Sequence, residues 1–118
     1  MNDMIETYVR RNQAQWLDLL KTIISIPSPT GREQVKGKWI LQYLHSLGAD
    51  GAYRDGGGNI LYPCRLKKGQ KAALYTAHMD TVFENLSQIP IHQSENTLSA
   101  PSCSDNSASI AGLLFIIK

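Results

Sequence analysis

A histidine and two aspartates are the residues of this 118-residue chain whose types and spacing are best suited to chemistry. His78 and Asp80 directly follow an apolar run over residues 72–77. Residues two apart on an extended chain point to the same side, so both side chains can face one site. Asp105 precedes a strongly apolar helical pattern, where the helix dipole favours a carboxylate. Because imidazole and carboxylate groups are zinc ligands, these residues are candidates for a metal site.

Structural interpretations of the same residues stay open at this point. A His-x-Asp element at a strand end is more often a local hydrogen-bonded pair than a metal site. Asp105 is also suited to cap the helix that follows it. His45, on the second predicted helix, has no acidic or histidine partner at ligand spacing, His92 lies in an irregular loop, and both are expected to be surface residues. Cys103, without an assigned base, is weak evidence for a nucleophile.

Two helices are predicted in the first half of the chain. Apolar residues recur at spacings of three and four over residues 4–24, and the prolines that follow end this helix. A second helix is predicted from Thr30 or Gly31, because Thr30 and Glu33 have the spacing of a capping box. Gly48 is its predicted C-terminal cap. Its predicted buried stripe consists of Val35, Trp39, Tyr43, Leu44 and Leu47.

The pattern after Gly48 predicts strands. Short strands are expected over residues 52–54, 59–64 and 97–99, and the apolar run at 72–77 predicts a central strand covered on both faces. A helix is predicted over residues 106–118. Since it is apolar around most of its circumference, it is expected to belong to a larger protein. The order of elements predicts an α/β fold with a covered sheet.

Composition limits the remaining classes of function. A net charge of +2 with scattered lysines and arginines argues against nucleic-acid binding, and the basic cluster at residues 65–71 is expected to be a solvated turn. No apolar stretch approaches the roughly 20 residues that span a bilayer, and no signal peptide pattern opens the chain. Cys64 and Cys103 are expected to be free thiols in a reducing cytoplasm, which predicts a cytoplasmic protein. No membrane partner is expected, because no stretch is long enough to span a bilayer.

These features together resemble the zinc-dependent aminoacylase/carboxypeptidase-like family, which includes tripeptide aminopeptidases, glutamate carboxypeptidases and acetylornithine or succinyl-diaminopimelate deacylases. The resemblance covers nearly the whole chain. It includes the leading helix with its Ile-Pro-Ser stop at residues 19–30, the Gly-Asn-Ile of 58–60, and the strand with His-x-Asp at 74–80. It closes with Ala-Pro at 100–101 leading to Asp-Asn at 105–106.

The resemblance implies a fold and a site. Residues 1–118 would form the N-terminal part of a three-layer α/β/α zinc-exopeptidase-like catalytic domain, truncated before its lid and dimerisation domain. His78 would bind one of two zinc ions and Asp105 would bridge both. Asp80 would take a catalytic role by orienting the His78 ring. Ser102 and Ser109 stand where the family frequently has glycine. A Glu-Glu general base and the later ligands would lie beyond these residues.

Two functions are predicted. The first is a metal-dependent hydrolase that cleaves peptide or N-acyl amide bonds with metal-activated water, acting on a peptide or an N-acyl amino acid. This chain alone would then be an inactive fragment of a metallopeptidase or deacylase. The alternative is a non-catalytic remnant or small interaction protein that self-associates through its apolar C-terminal helix. The sequence leaves the substrate and the choice of exopeptidase or deacylase open.

Overall fold

The computed structural model describes residues 3–84 and 88–118. Within these ranges it contains three α-helices and two antiparallel two-stranded sheets, which pair β1 with β2 and β3 with β4. The elements, in chain order, are α1 (Asp3–Ser25), α2 (Gln34–Ser46), β1 (Tyr53–Arg54), β2 (Ile60–Leu61), β3 (His92–Gln93), β4 (Leu98–Ser99) and α3 (Ala108–Ile117). An irregular turn over Cys103–Ser107 precedes α3.

Helix α1 confirms the first predicted helix to within one residue at each end. Its apolar face buries Leu19, Leu20, Ile23 and Ile24 in the C-terminal half. Helix α3 packs against this half of α1 and buries Ile110, Ala111 and Leu114. The final helix is therefore also confirmed, although it begins at Ala108 rather than at residue 106. The surface through which α3 was expected to self-associate stays a prediction.

Helix α2 begins later than predicted, and of its predicted buried stripe Leu44 is buried, Trp39 and Tyr43 are partly buried against the core, and only Val35 is exposed. The capping box is wrong, because the Thr30 hydroxyl donates to Asp80 Oδ2 at 2.7 Å and Glu33 accepts from the Gly31 N–H. Val35, predicted to be buried, is exposed, and Lys36 is buried instead. Gly48 does end the helix as predicted, with a φ of 84° that suits glycine.

The predicted central strand at 72–77 is wrong. This segment forms no strand, and Leu74 and Tyr75 are 86% and 71% exposed. Pairing begins only at Thr81, which makes a parallel bridge to Pro29 through hydrogen bonds of 3.1 and 2.8 Å to the backbone of Thr30 and Ser28. A covered strand needs neighbours at both edges and layers on both faces. The described residues supply neither beyond that single bridge.

The two short sheets confirm the predicted strands at 52–54, 59–64 and 97–99, although each observed strand has only two residues. Tyr53 pairs with Leu61 across β1 and β2, and Gln93 pairs with Leu98 across β3 and β4. The chain is thus α/β in content, while its place in a three-layer catalytic domain stays a prediction. None of the helices in the described ranges is long and apolar enough to cross a membrane.

Candidate functional site

The His78 ring lies between two carboxylates. Its Nε2 is 2.8 Å from Asp105 Oδ1, and its Nδ1 is 3.2 Å from both Oδ1 and the backbone oxygen of Asp80. The three residues predicted from sequence are therefore brought together, although 27 positions separate His78 from Asp105. The two carboxylates therefore contact opposite nitrogens of the ring: Asp105 contacts Nε2 and Asp80 contacts Nδ1.

The segment from Ser28 to Thr30 positions His78 and Asp80. Its bridge to Thr81 fixes the backbone just after Asp80. The Ser28 hydroxyl donates to the Met79 carbonyl at 2.6 Å, and Ser28 is almost completely buried. The Thr30 hydroxyl donates to Asp80 Oδ2 at 2.7 Å, which leaves Asp80 Oδ1 for the His78 ring. The Pro-rich stop after α1 is thus part of the site's support.

The irregular turn before α3 positions Asp105. Asp105 has φ −119° and ψ 87°, so it lies outside the helix, and its carboxylate is exposed. The helix-cap interpretation of Asp105 is wrong, because Ser107 is the residue that precedes α3 and no side chain caps its first turn. Ser102 opens the turn with a φ of 61°, a conformation that favours glycine, and Ser107 N–H donates to its carbonyl at 3.1 Å.

Electrostatics favour the charged forms of both partners in the His78–Asp80 pair. The hydrogen bond that the ring donates to Asp105 is the main cause that raises the pKa of His78 above its usual value, with smaller contributions from Asp80. The Thr30 hydroxyl is the main cause that lowers the pKa of Asp80, and His78 lowers it further. A ring that donates from both nitrogens is an imidazolium, so both contacts at once require the protonated histidine.

Lys36 is the site neighbour that sequence reasoning missed. It is 1% exposed on α2, and burial lowers its pKa to about 8 while Asp80 acts in the opposite direction. The signal for its burial was present in the sequence, since Lys36, Ile40 and Leu44 follow one another at intervals of four. The adjacent Gly37 lies against the Met79 side chain, so this part of α2 backs the His78–Asp80 segment.

An open cleft of about 300 Å³ adjoins these residues. Its lining includes His78, Asp80 and Asp105, together with the exposed apolar side chains of Val82 and Phe83. Cys103 also lines the cleft, but burial raises the pKa of its thiol, which disfavours a nucleophilic thiolate. The cleft is large enough to admit a small acyl or peptide group beside His78.

The other sequence candidates lie outside the cleft lining. His45 Nε2 pairs with the Ala52 carbonyl at 2.9 Å, so its role is to join the end of α2 to β1. His92 lies in β3 and is exposed. Cys64 and Cys103 are free thiols, as predicted.

The residues present fit a metal ion only in part. Zinc bonds to nitrogen and oxygen are about 2.0–2.2 Å long, so ligand atoms of one ion lie within about 4 Å of each other, as His78 Nε2 and Asp105 Oδ1 do. Asp80 cannot join them because it holds the opposite ring nitrogen. In residues 3–84 and 88–118 no group of three or more histidine, cysteine, aspartate or glutamate side chains is arranged to hold a metal. Two donors are one fewer than catalytic zinc sites use.

Comparison with known proteins gives a partial similarity to a hydrolase. Over 67 residues the chain is 36% identical to a protein of Pyrococcus furiosus assigned by name as a LysW-lysine/LysW-ornithine hydrolase. The match covers 56% of this chain and 19% of the relative, so the chain spans only about a fifth of that protein's length. No protein-family model matches the chain. The broad class supported by this similarity is hydrolase.

Proposed function

We propose that this chain carries one side of the metal site of a hydrolase that cleaves peptide or N-acyl amide bonds. His78 would bind the metal through Nε2 and Asp105 through Oδ1. Such an ion, when bound, supplies Lewis acidity and makes water a stronger nucleophile near neutral pH. The further ligands and the general base would come from protein outside the described residues, and the chain alone would be inactive.

The observation that carries this proposal is that the two nitrogens of the His78 ring have different partners. Nε2 points to an exposed carboxylate at the cleft, and Nδ1 is held by a carboxylate that is itself fixed by a hydroxyl. Metal-binding histidines commonly donate their second ring N–H to a carboxylate or carbonyl, which fixes the tautomer and raises ligand basicity. Asp80 and its backbone carbonyl supply both kinds of acceptor.

The residues around His78 would also have roles that do not require the ion. Asp80 orients the imidazole and stabilises a positive charge on it. Thr30 keeps Asp80 ionised and directs one oxygen towards the ring. Lys36, buried behind the segment, adds a positive charge that favours the same ionised state of Asp80. The exposed Val82 and Phe83 offer apolar surface to a substrate side chain at the cleft.

Substrate chemistry belongs to the same proposal. The similarity to a hydrolase named for lysine and ornithine attached to LysW is compatible with cleavage of an amide bond to an amino acid. Peptides and N-acyl amino acids share that bond, and both stay candidate substrates.

Calorimetric titration of the chain with zinc tests the proposed ligands. Two protein ligands predict weak binding, with a dissociation constant well above the nanomolar range of completed sites. The variants H78A and D105A are expected to abolish it, while H92A, which removes an exposed histidine from β3, is the matched control. A nanomolar constant for the unaltered chain, or equal losses in H78A and H92A, would contradict the proposal.

A further inference from the structure

The turn at residues 65–71 carries a cluster of exposed positive charge that the His78 site does not use. All ten acidic residues of the chain lie outside residues 56–79, so this stretch is positive while the remainder of the chain is net negative. Within the described part of the chain none of the cations in the turn forms an ion pair. The cluster consists of Arg65, Lys67, Lys68 and Lys71, all exposed.

The apolar segment that follows the turn has free backbone groups. In residues 3–84 and 88–118 no backbone hydrogen bond involves residues 72–77, and bonding resumes only at Thr81. The side chains of this segment are open as well, since Leu74 and Tyr75 are 86% and 71% exposed. Unpaired N–H and C=O groups in a segment of strand composition are a template on which another polypeptide can add as a strand.

The free backbone and the adjacent charge together indicate the chemistry of a partner. A polypeptide strand supplies donors and acceptors to residues 72–77, whereas the apolar interior of a lipid layer supplies none. The lysines of the turn favour a partner with carboxylates, because opposite charges across an interface select the partner. A second copy of the same segment does not match, since residues 56–79 contain no aspartate or glutamate.

We propose that residues 65–77 are a docking site for an acidic polypeptide segment, which adds as a β-strand beside residues 72–77 and sets its carboxylates against the lysines of the turn. The contact needs no metal ion and lies outside the described lining of the His78 cleft. One added strand buries less than a standard interface, so the complex is weak and transient.

Calorimetric titration with an acetylated seven-residue peptide that alternates glutamate and valine tests the site. A dissociation constant of about 0.1 mM is expected, and it should rise with added salt because exposed charges are screened. The matched peptide that alternates lysine and valine should not bind. The double variant K67E/K68E should weaken binding about tenfold or more. R11E/K38E makes the same change of charge at exposed positions on α1 and α2, and should bind like the unaltered chain.

Amide hydrogen exchange locates the contact on the backbone. The amides of residues 72–77 should exchange freely in the chain alone and become protected when the glutamate peptide is added. Protection before the peptide is added, or binding without protection there, would overturn strand addition. Equal binding of the two peptides, equal losses in the two double variants, or no binding of the glutamate peptide would overturn the proposal. So would binding to vesicles of phosphatidylserine and phosphatidylcholine without binding to the peptide, which would assign the cluster to a membrane surface instead.

Discussion

His78 Nε2 and Asp105 Oδ1 lie 2.8 Å apart, and this contact joins the segment after residue 77 to the turn before α3. Among the described residues, these two parts of the chain share no sheet. The contact is charge-assisted when the ring is protonated. It therefore makes the geometry of the site dependent on the protonation of one histidine.

Replacing Asp105 with asparagine should lower the pKa of His78, because the Asp105 carboxylate is the main cause of its raised value. Proton NMR of the ring across a pH titration measures it directly. A raised folded-state pKa stabilises the protein below the ordinary histidine value, near pH 6.5, and that stability is lost as the pH rises through the folded value. The melting temperatures of D105N and the unaltered chain should thus differ at pH 5.5 to 6 and converge at alkaline pH.

D18N is the control for this change, since it removes a carboxylate of the same charge from an exposed position on α1. It should leave the His78 titration where it is. An unaltered His78 pKa in D105N would show that the 2.8 Å contact is absent in solution.

Thr30 gives a second prediction, centred on Asp80. The variant T30V removes the hydroxyl that is the main cause of the lowered Asp80 pKa, so this pKa should rise. A carboxyl group whose pKa is lowered by folding stabilises the protein above its unfolded-state pKa, and this stability is lost as the pH falls. The stability difference between T30V and the unaltered chain should therefore be smallest at low pH. Carboxyl carbon NMR measures the titration. T30S keeps a hydroxyl and should behave like the unaltered chain; a rise in both variants would assign the effect to packing.

Lys36 gives a third prediction, because its pKa is lowered by burial to about 8. Between that value and the usual lysine pKa the unfolded chain binds more protons, so stability should rise with pH over this interval. K36M keeps an unbranched side chain without the charge. It should be more stable at pH 7 by about 1–2 kcal/mol and should lose the alkaline rise. Urea denaturation at pH 7 and pH 9.5 gives both numbers, and a destabilised K36M would contradict the assigned cost of burial.

Replacing a serine with glycine in the turn before α3, at Ser102, and within α3, at Ser109, tests the backbone conformation of the turn. Ser102 has a φ of 61°, which costs a residue with a side chain about 1–2 kcal/mol. S102G removes this cost, but it also loses the 3.3 Å contact to the Ser107 hydroxyl and gives the unfolded backbone more freedom. The net effect should be a stabilisation of about 0.5–1 kcal/mol. S109G, within α3, should destabilise it by about 0.5 kcal/mol. Changes of the same sign in both would refute the strained conformation.

Helical elements were predictable because their signals are local. The spacing of Leu19, Leu20, Ile23 and Ile24 predicts α1, and the prolines after Ile26 end it. Gly48 marks the end of α2 through its own backbone preference. The side of α2 that faces the core was predicted correctly at Trp39, Tyr43 and Leu44. The first turn was predicted wrongly, since Lys36 is buried and Val35 is exposed. A lysine is rarely placed inside by pattern alone, although its spacing to Ile40 and Leu44 indicated it.

Features that depend on distant partners were not predictable in the same way. The apolar run at 72–77 has a strand's composition, but a strand also needs neighbours, which the described residues give only at Thr81. Thr30 was assigned to a local cap, and it contacts Asp80 instead, 50 positions away. The grouping of His78, Asp80 and Asp105 was predicted through a family resemblance. No local signal placed Asp105 against Nε2 rather than on the helix end.

In the proposed site, Nε2 of His78 is the metal ligand while Nδ1 is held by Asp80. Nitrogen-15 NMR of the chain with labelled histidine rings, titrated with zinc, tests it atom by atom. Zinc is expected to shift the Nε2 resonance of His78 and to leave Nδ1 as the protonated nitrogen, and the Nε2 shift should be absent in D105A. A zinc response at Nδ1, or none at His78 at millimolar zinc, would contradict it.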